Sequence, residues 1–104
     1  MLQKTEFIWF DGKLVPWDQA QVHVLAHGLH YGTGVFEGIR AYACPDGSSA
    51  VFRLPEHSKR LVNSAKILGI DMPYTADEIS KAIVETVVAN KLSEGYIRPL
   101  AFAG

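Results

Sequence analysis

Cysteine is almost absent from this sequence: Cys44 is the one thiol among 104 residues, so neither an intrachain disulfide nor a four-thiolate zinc site can form. A reducing compartment, the cytoplasm, is the expectation. Long apolar runs are missing as well. No stretch approaches the roughly 18 to 20 apolar residues that a bilayer span needs, and Met1-Leu2-Gln3-Lys4-Thr5-Glu6 lacks the apolar run of a signal peptide. Nor is there an excess of positive charge. Ten Lys+Arg stand against eleven Asp+Glu, a formal net charge of −1, which leaves no long-range positive field to hold a phosphate backbone or an anionic membrane surface. Nucleic acid and membrane are therefore not expected partners.

What is present suits one small globular domain. Hydrophobic residues make up 48% of the chain and aromatic residues 11%, enough to bury a core, while the length excludes two full domains. The end is unusual. Tyr96-Ile97-Arg98-Pro99-Leu100-Ala101-Phe102-Ala103-Gly104 is apolar and strand-like with no polar tail; a strand cut there leaves unpaired backbone and apolar surface that another element should cover. The expectation is a fragment of a longer protein.

Phe7-Ile8-Trp9-Phe10 and Lys13-Leu14-Val15 flank Asp11-Gly12, a two-residue loop suited to the positive φ angles of a tight hairpin. Residues 16–34 form a His-rich, Gly-containing stretch without clean periodicity, read as loop or short helical turns. Val35 to Tyr42 alternates, with Phe36, Gly38, Arg40 and Tyr42 on one face and Val35, Glu37, Ile39 and Ala41 on the other. Ala50-Val51-Phe52-Arg53-Leu54 follows a turn over Cys44 to Ser49 and should pair with it antiparallel. Pro55 is placed to begin a helix with the apolar stripe Leu61, Ala65 and Leu68, ended by Gly69. Thr75-Ala76-Asp77-Glu78 is a capping box. It opens a second helix carrying Ile79, Ala82, Ile83, Thr86 and Val87 on one face and running to about Asn90. Strands, two helices and a final strand imply an α+β layer, a mainly antiparallel sheet with the two helices packed on one side.

The chemistry-bearing residues are few. His23, His27 and His30 have helical spacing, but Gly28 interrupts them and no acidic residue or cysteine lies between positions 19 and 36. Ordinary loop hydrogen bonds are expected rather than a metal site. Gly32-Thr33-Gly34-Val35-Phe36-Glu37-Gly38 departs from the dinucleotide fingerprint, its third glycine one residue late and a strand in place of a helix. Arg60 offers a rigid fork of donors suited to phosphate or carboxylate, against a surface pairing with Glu56 one turn earlier. Arg98 lies in an apolar strand, where a buried charge would require an anionic partner and an exposed one none. None of the six lysines, Lys4, Lys13, Lys59, Lys66, Lys81 and Lys91, lies in an apolar strand where desolvation would tune it for Schiff-base chemistry.

Four segments together carry a resemblance: Ile8-Trp9-Phe10-Asp11-Gly12, His27 through Arg40, Glu56-His57-Ser58-Lys59-Arg60-Leu61, and Tyr96-Ile97-Arg98-Pro99-Leu100. In this order, over nearly the whole chain, they resemble the N-terminal region of the branched-chain amino acid aminotransferases, fold-type IV enzymes dependent on pyridoxal phosphate. D-amino acid aminotransferases and aminodeoxychorismate lyases share the His-x-x-Arg-Leu segment, whereas Tyr31-Gly32 through Arg40 is most similar to the branched-chain group. The resemblance implies reversible transfer of an amino group from leucine, isoleucine or valine to 2-oxoglutarate. It matches Arg60 to the arginine that contacts the cofactor phosphate, and Phe36 and Tyr31 to the walls of the side-chain pocket, Tyr31 reaching across a dimer interface. Gly38 would leave room beside the substrate. Arg98 matches the arginine that receives the distal carboxylate of glutamate or 2-oxoglutarate, with Tyr96 its neighbour. The family's Schiff-base lysine lies in a C-terminal domain that residues 1–104 do not include, so no catalytic residue is assigned here and the chain alone is expected to be inactive. A free-standing binding or assembly module of the same fold is the alternative, and a homo-oligomer is expected on either reading.

Overall fold

A computed structural model describes residues 4–104; the first part of the N-terminal run noted above, Met1-Leu2-Gln3, lies outside the described residues. Phe7–Phe10 (β1) and Lys13–Pro16 (β2) pair antiparallel with Phe10 opposite Lys13. The two residues between them, Asp11 at φ 48° and Gly12 at φ 102°, both take the positive φ that the Asp-Gly loop predicted. A turn of 3-10 helix, Trp17–Gln19, and a short helix, His27–Tyr31 (α1), then punctuate the His-rich stretch.

Next come Gly34–Phe36 (β3), Ile39–Ala43 (β4) and Ser49–Val51 (β5), then the helices Leu54–Leu68 (α2) and Ala76–Ala89 (α3), and finally Gly95–Ile97 (β6) and Leu100–Phe102 (β7). All strand pairs are antiparallel: β1 with β2, β3 with β7, and β4 between β5 and β6. The α+β class is borne out. Two strands expected to be continuous are each interrupted, at Glu37-Gly38 and at Arg98-Pro99. Pro99 supplies the reason, because it has no N–H to donate to a ladder. The register nevertheless carries through the gap: Phe36 opposes Leu100 and Ile39 opposes Ile97, so Glu37 faces Pro99 and Gly38 faces Arg98. The Glu37 N–H still donates to the Pro99 carbonyl at 3.1 Å.

Alternation also survives the gap. Glu37, Ile39 and Ala41 are buried while Phe36, Gly38, Arg40 and Tyr42 are exposed. Ile39 packs with Leu61 of α2 and with Ile79 and Ile83 of α3, joined at the margin by Val35, Val51 and Ile97. Both helices thus cover one side of the β5-β4-β6 sheet. Pro55 occupies the first turn of α2, one residue later than expected, since Leu54 belongs to the helix rather than to the preceding strand. Leu68, assigned to the apolar stripe, is instead exposed at the last turn. The capping box at Thr75 and Glu78 is present in both directions. Ser80 of α3 donates to Ser58 of α2 at 2.7 Å, so the buried Ser58 hydroxyl is satisfied between the helices. Asn90, at the end of α3, accepts from the Phe7 N–H at 2.8 Å and donates to the Phe7 carbonyl at 3.0 Å. Its amide acts as a strand partner and fastens the N-terminal hairpin to the helix layer.

Candidate functional site

Because side chains alternate along a strand, Phe36-Glu37-Gly38 presents Phe36 and Gly38 outward and Glu37 inward. On the outward side lies the Tyr96 side chain of the neighbouring strand β6. Tyr96 lies over Gly38 so closely that a Cβ there would collide with the phenol hydroxyl and sit 2.9 Å from its ring carbon. Arg98 completes the group: its guanidinium carbon stands 4.3 Å from the centre of the Phe36 ring and 5.4 Å from that of Tyr96. One of its terminal nitrogens donates to the Tyr96 hydroxyl at 3.2 Å. Stacking on an aromatic face stabilises the cation without using its in-plane donors. Among the described residues no carboxylate pairs with Arg98. Arg98 is exposed, so it carries no burial cost and keeps donors free for an anion. A second guanidinium not singled out from the sequence, that of Arg40, stands 5.9 Å from the centre of the Tyr96 ring.

The inward side carries a second arrangement. Glu37, 5% exposed, accepts from the Arg60 Nε–H at 2.9 Å to each oxygen and from His57 Nδ1–H at 2.8 Å, and a terminal nitrogen of Arg60 makes an ion-pair contact with it at 2.7 Å. The partner of Arg60 is therefore Glu37 on the strand and not Glu56 on its own helix. The guanidinium hydrogen bond holds the Glu37 carboxyl below the usual carboxylate range, against the upward push of burial, and the His57 bond acts in the same direction as Arg60. The Arg60 side chain remains 66% exposed, and its hydrogen bonds to Glu37 use the Nε–H alone, so N–H donors on its terminal nitrogens stay available. Glu37 and His57 were not foreseen as site residues. A signal existed: Glu37 is the one charge in the row Val35, Glu37, Ile39, Ala41 that faces the core, and a buried carboxylate must find donors.

Tyr31 stands elsewhere. Its ring packs on His27 at 4.6 Å and on His30 at 6.4 Å, and it is 76% exposed. The structure thus brings Phe36, Gly38, Tyr96 and Arg98 together, links Arg60 to them through Glu37, and leaves Tyr31 on α1. The histidines each make their own bonds: His23 accepts from the Leu25 N–H, His30 donates to the Val24 carbonyl, and His27 meets the Thr33 hydroxyl. Among the described residues no three metal-binding side chains converge, and no helix is long and apolar enough to cross a membrane. All six lysines are exposed. Shallow apolar hollows of about 530 and 420 Å³ lie along α3 near Val84 and Val88, lined by none of the residues of the two arrangements above.

Gly38→Ala tests the close approach. The obstructing atom is the far end of the Tyr96 side chain, which can swing aside, so the fold should tolerate the methyl group. The displaced hydroxyl then loses its bond to Arg98. At the usual net value of roughly 0.5–1.5 kcal/mol for such a bond, any affinity of Arg98 for an anion should fall by about two- to thirteen-fold. Titration with a dicarboxylate, alongside a thermal melt, checks both parts; a large drop in melting temperature would contradict this account.

The segment containing both arrangements coincides with a known family. Residues 34–104 match the model of the family described as Amino-transferase class IV. The branched-chain-amino-acid aminotransferase of Pseudomonas aeruginosa is 50% identical over 104 residues, covering 100% of this chain and 34% of that protein. The crystal structure of the Escherichia coli branched-chain amino acid aminotransferase superposes with a TM-score of 0.93 at 46% identity, covering 97% of this chain and 33% of that one. The branched-chain aminotransferase of Thermoproteus uzoniensis with norvaline gives 0.90 at 54% identity, over 94% and 33% respectively. A further branched-chain amino acid aminotransferase, complexed with N-(5'-phosphopyridoxyl)-L-glutamate, gives 0.91 at 49% identity, over 95% and 33%. The chain spans about a third of the length of these relatives. With a family match over more than half its residues and its strands and helices in the same arrangement, this chain belongs to the class IV amino-transferases.

Proposed function

We propose that residues 1–104 form the N-terminal domain of a pyridoxal phosphate-dependent branched-chain aminotransferase, which exchanges an amino group between leucine, isoleucine or valine and 2-oxoglutarate. The observation that carries this reading is Arg98 laid on the Phe36 ring. One corner then offers an apolar wall for an aliphatic side chain and a free guanidinium for the distal carboxylate of glutamate. Tyr96 orients that guanidinium, and Gly38 makes room for Tyr96 to do so.

The cofactor fits what is present. Arg60 keeps donors available in a rigid fork, the geometry a phosphate accepts, and the phosphopyridoxyl-glutamate complex of the relative described above supports a pyridoxal-type cofactor. Pyridoxal phosphate, when bound, supplies the aldehyde that carries the amino group and the ring that spreads the developing charge. The lysine that moves the proton is assigned, as the family resemblance implies, to a second domain. Tyr31 completes the pocket from a second copy, which makes the protein a homo-oligomer. Amino acids and 2-oxo acids are its small-molecule partners, and the lone cysteine supports a cytoplasmic setting.

Assayed alone for leucine:2-oxoglutarate transamination, the 104 residues are expected to show no turnover, and the same residues joined to a lysine-bearing second domain are expected to show it. Robust activity from the 104 residues alone would sink the proposal. The alternative, a non-catalytic assembly module, draws on the exposed apolar side chains Val24, Leu25 and Leu29, exposed by 71%, 72% and 64%. Size-exclusion chromatography with a parallel cofactor titration separates the two: tight association without cofactor affinity favours the module.

A further inference from the structure

We propose that Glu37 is a positioning residue for the cofactor phosphate, acting through Arg60; the inference rests on the assignment of Arg60 to that phosphate. Three observations converge. Glu37 occupies the Nε edge of the guanidinium, accepting from the Nε–H at 2.9 Å to each oxygen and making an ion-pair contact of 2.7 Å with a terminal nitrogen, while the side chain as a whole stays 66% exposed. An arginine this exposed would otherwise sample many rotamers, and ordering it would then oppose ligand binding. Held by one edge, its plane is fixed and its other edge is presented outward before any ligand arrives.

Glu37 is itself immobilised from three directions. His57, one turn before Arg60 on α2, donates to the same carboxylate oxygen. The Glu37 N–H donates to the Pro99 carbonyl across the strand gap, and its side chain is buried beside the core. The arginine is thereby referenced to the strand that carries Phe36 and Gly38, and not only to its own helix.

The sign of the effect discriminates between positioning and bulk charge. Glu37 cancels the charge of Arg60, so if charge alone governed phosphate binding, removing the carboxylate would strengthen it. Positioning requires that removal weaken it. The experiment uses the two-domain protein stripped of cofactor, titrated separately with pyridoxal phosphate and with pyridoxal, which lacks the phosphate. Glu37→Gln is expected to raise the Kd for pyridoxal phosphate about ten-fold, leave that for pyridoxal unchanged, and add nothing further in an Arg60→Ala background. Tighter binding, equal losses for both probes, or an undiminished effect without Arg60 would each overturn it. Glu37→Asp, which keeps the charge but shortens the reach by a methylene, gives a second arm should the glutamine variant not fold; the same phosphate-selective loss is expected, and unchanged affinity would count against positioning. If Arg60→Ala alone leaves pyridoxal phosphate affinity intact, the assignment of Arg60 itself fails, and the Glu37 inference with it. A phosphate-selective Arg60→Ala combined with an unselective Glu37→Gln overturns only the latter.

Discussion

Arg98→Leu in the two-domain protein is expected to raise the KM for 2-oxoglutarate by about 30- to 100-fold while leaving that for 4-methyl-2-oxopentanoate nearly unchanged. Hydrogen bonds to a charged group contribute roughly 1.5–3 kcal/mol, and each 1.4 kcal/mol is about ten-fold in affinity. Only the acidic substrate has a second carboxylate to use them. Leucine also keeps apolar contact with Phe36, so the wall for an aliphatic side chain persists after the guanidinium is gone. Steady-state kinetics with the two oxo acids decides the matter. Equal losses for both would mean that Arg98 maintains the pocket rather than selecting its occupant.

Ile39→Ala should have the largest effect on stability. Ile39 is fully buried at the junction of Leu61, Ile79 and Ile83, and truncating such a side chain typically costs about 2–4 kcal/mol through lost burial and the cavity left behind. For a domain of this size that lowers the melting temperature by on the order of 15 °C. Ile67, 79% exposed on α2, is the control, and its alanine variant should change stability by no more than about 0.5 kcal/mol. Thermal melts of the 104-residue chain would show the contrast; similar losses at both positions would contradict the assigned core. The damage would reach the site as well, because Ile39 directly follows Gly38 and anchors the outward-facing row from beneath.

The parts of this fold that could be read from sequence are those decided by near neighbours. The Asp11-Gly12 hairpin needs only two residues that tolerate positive φ, and the Thr75–Glu78 capping box closes within one turn. The burial alternation of residues 35–42 likewise follows from strand geometry alone. What escaped depends on distant partners. Arg60 and Glu37 are separated by 23 positions and Asn90 and Phe7 by 83, and no local pattern distinguishes such pairings from the i−4 partner that helix geometry offers. The strand interruption was legible in principle, since Pro99 cannot donate to a ladder, but the apolar character of Tyr96 to Phe102 masked it. The site was legible mainly through the family resemblance, because Arg98 and Phe36 lie far apart in the chain. Tyr31 illustrates the remaining limit: its neighbours within the chain, His27 and His30, give its ring no role in the group it was assigned to.

The two-residue gap at Glu37-Gly38 and Arg98-Pro99 bears on how this region tolerates insertions and deletions. Adding or removing one residue on either side would turn the downstream strand over. That would bring Glu37 to the face of Phe36 and send an aromatic or a guanidinium into the helix layer. A paired change of one residue on each strand would invert both faces together and rescue neither. The hairpin turn at Cys44 to Ser48, whose residues beyond Cys44 are exposed and whose bonds are local, is under no such constraint. Length variation among related chains should therefore collect in that turn, while the distance along the chain from Tyr31 to Arg40 stays constant.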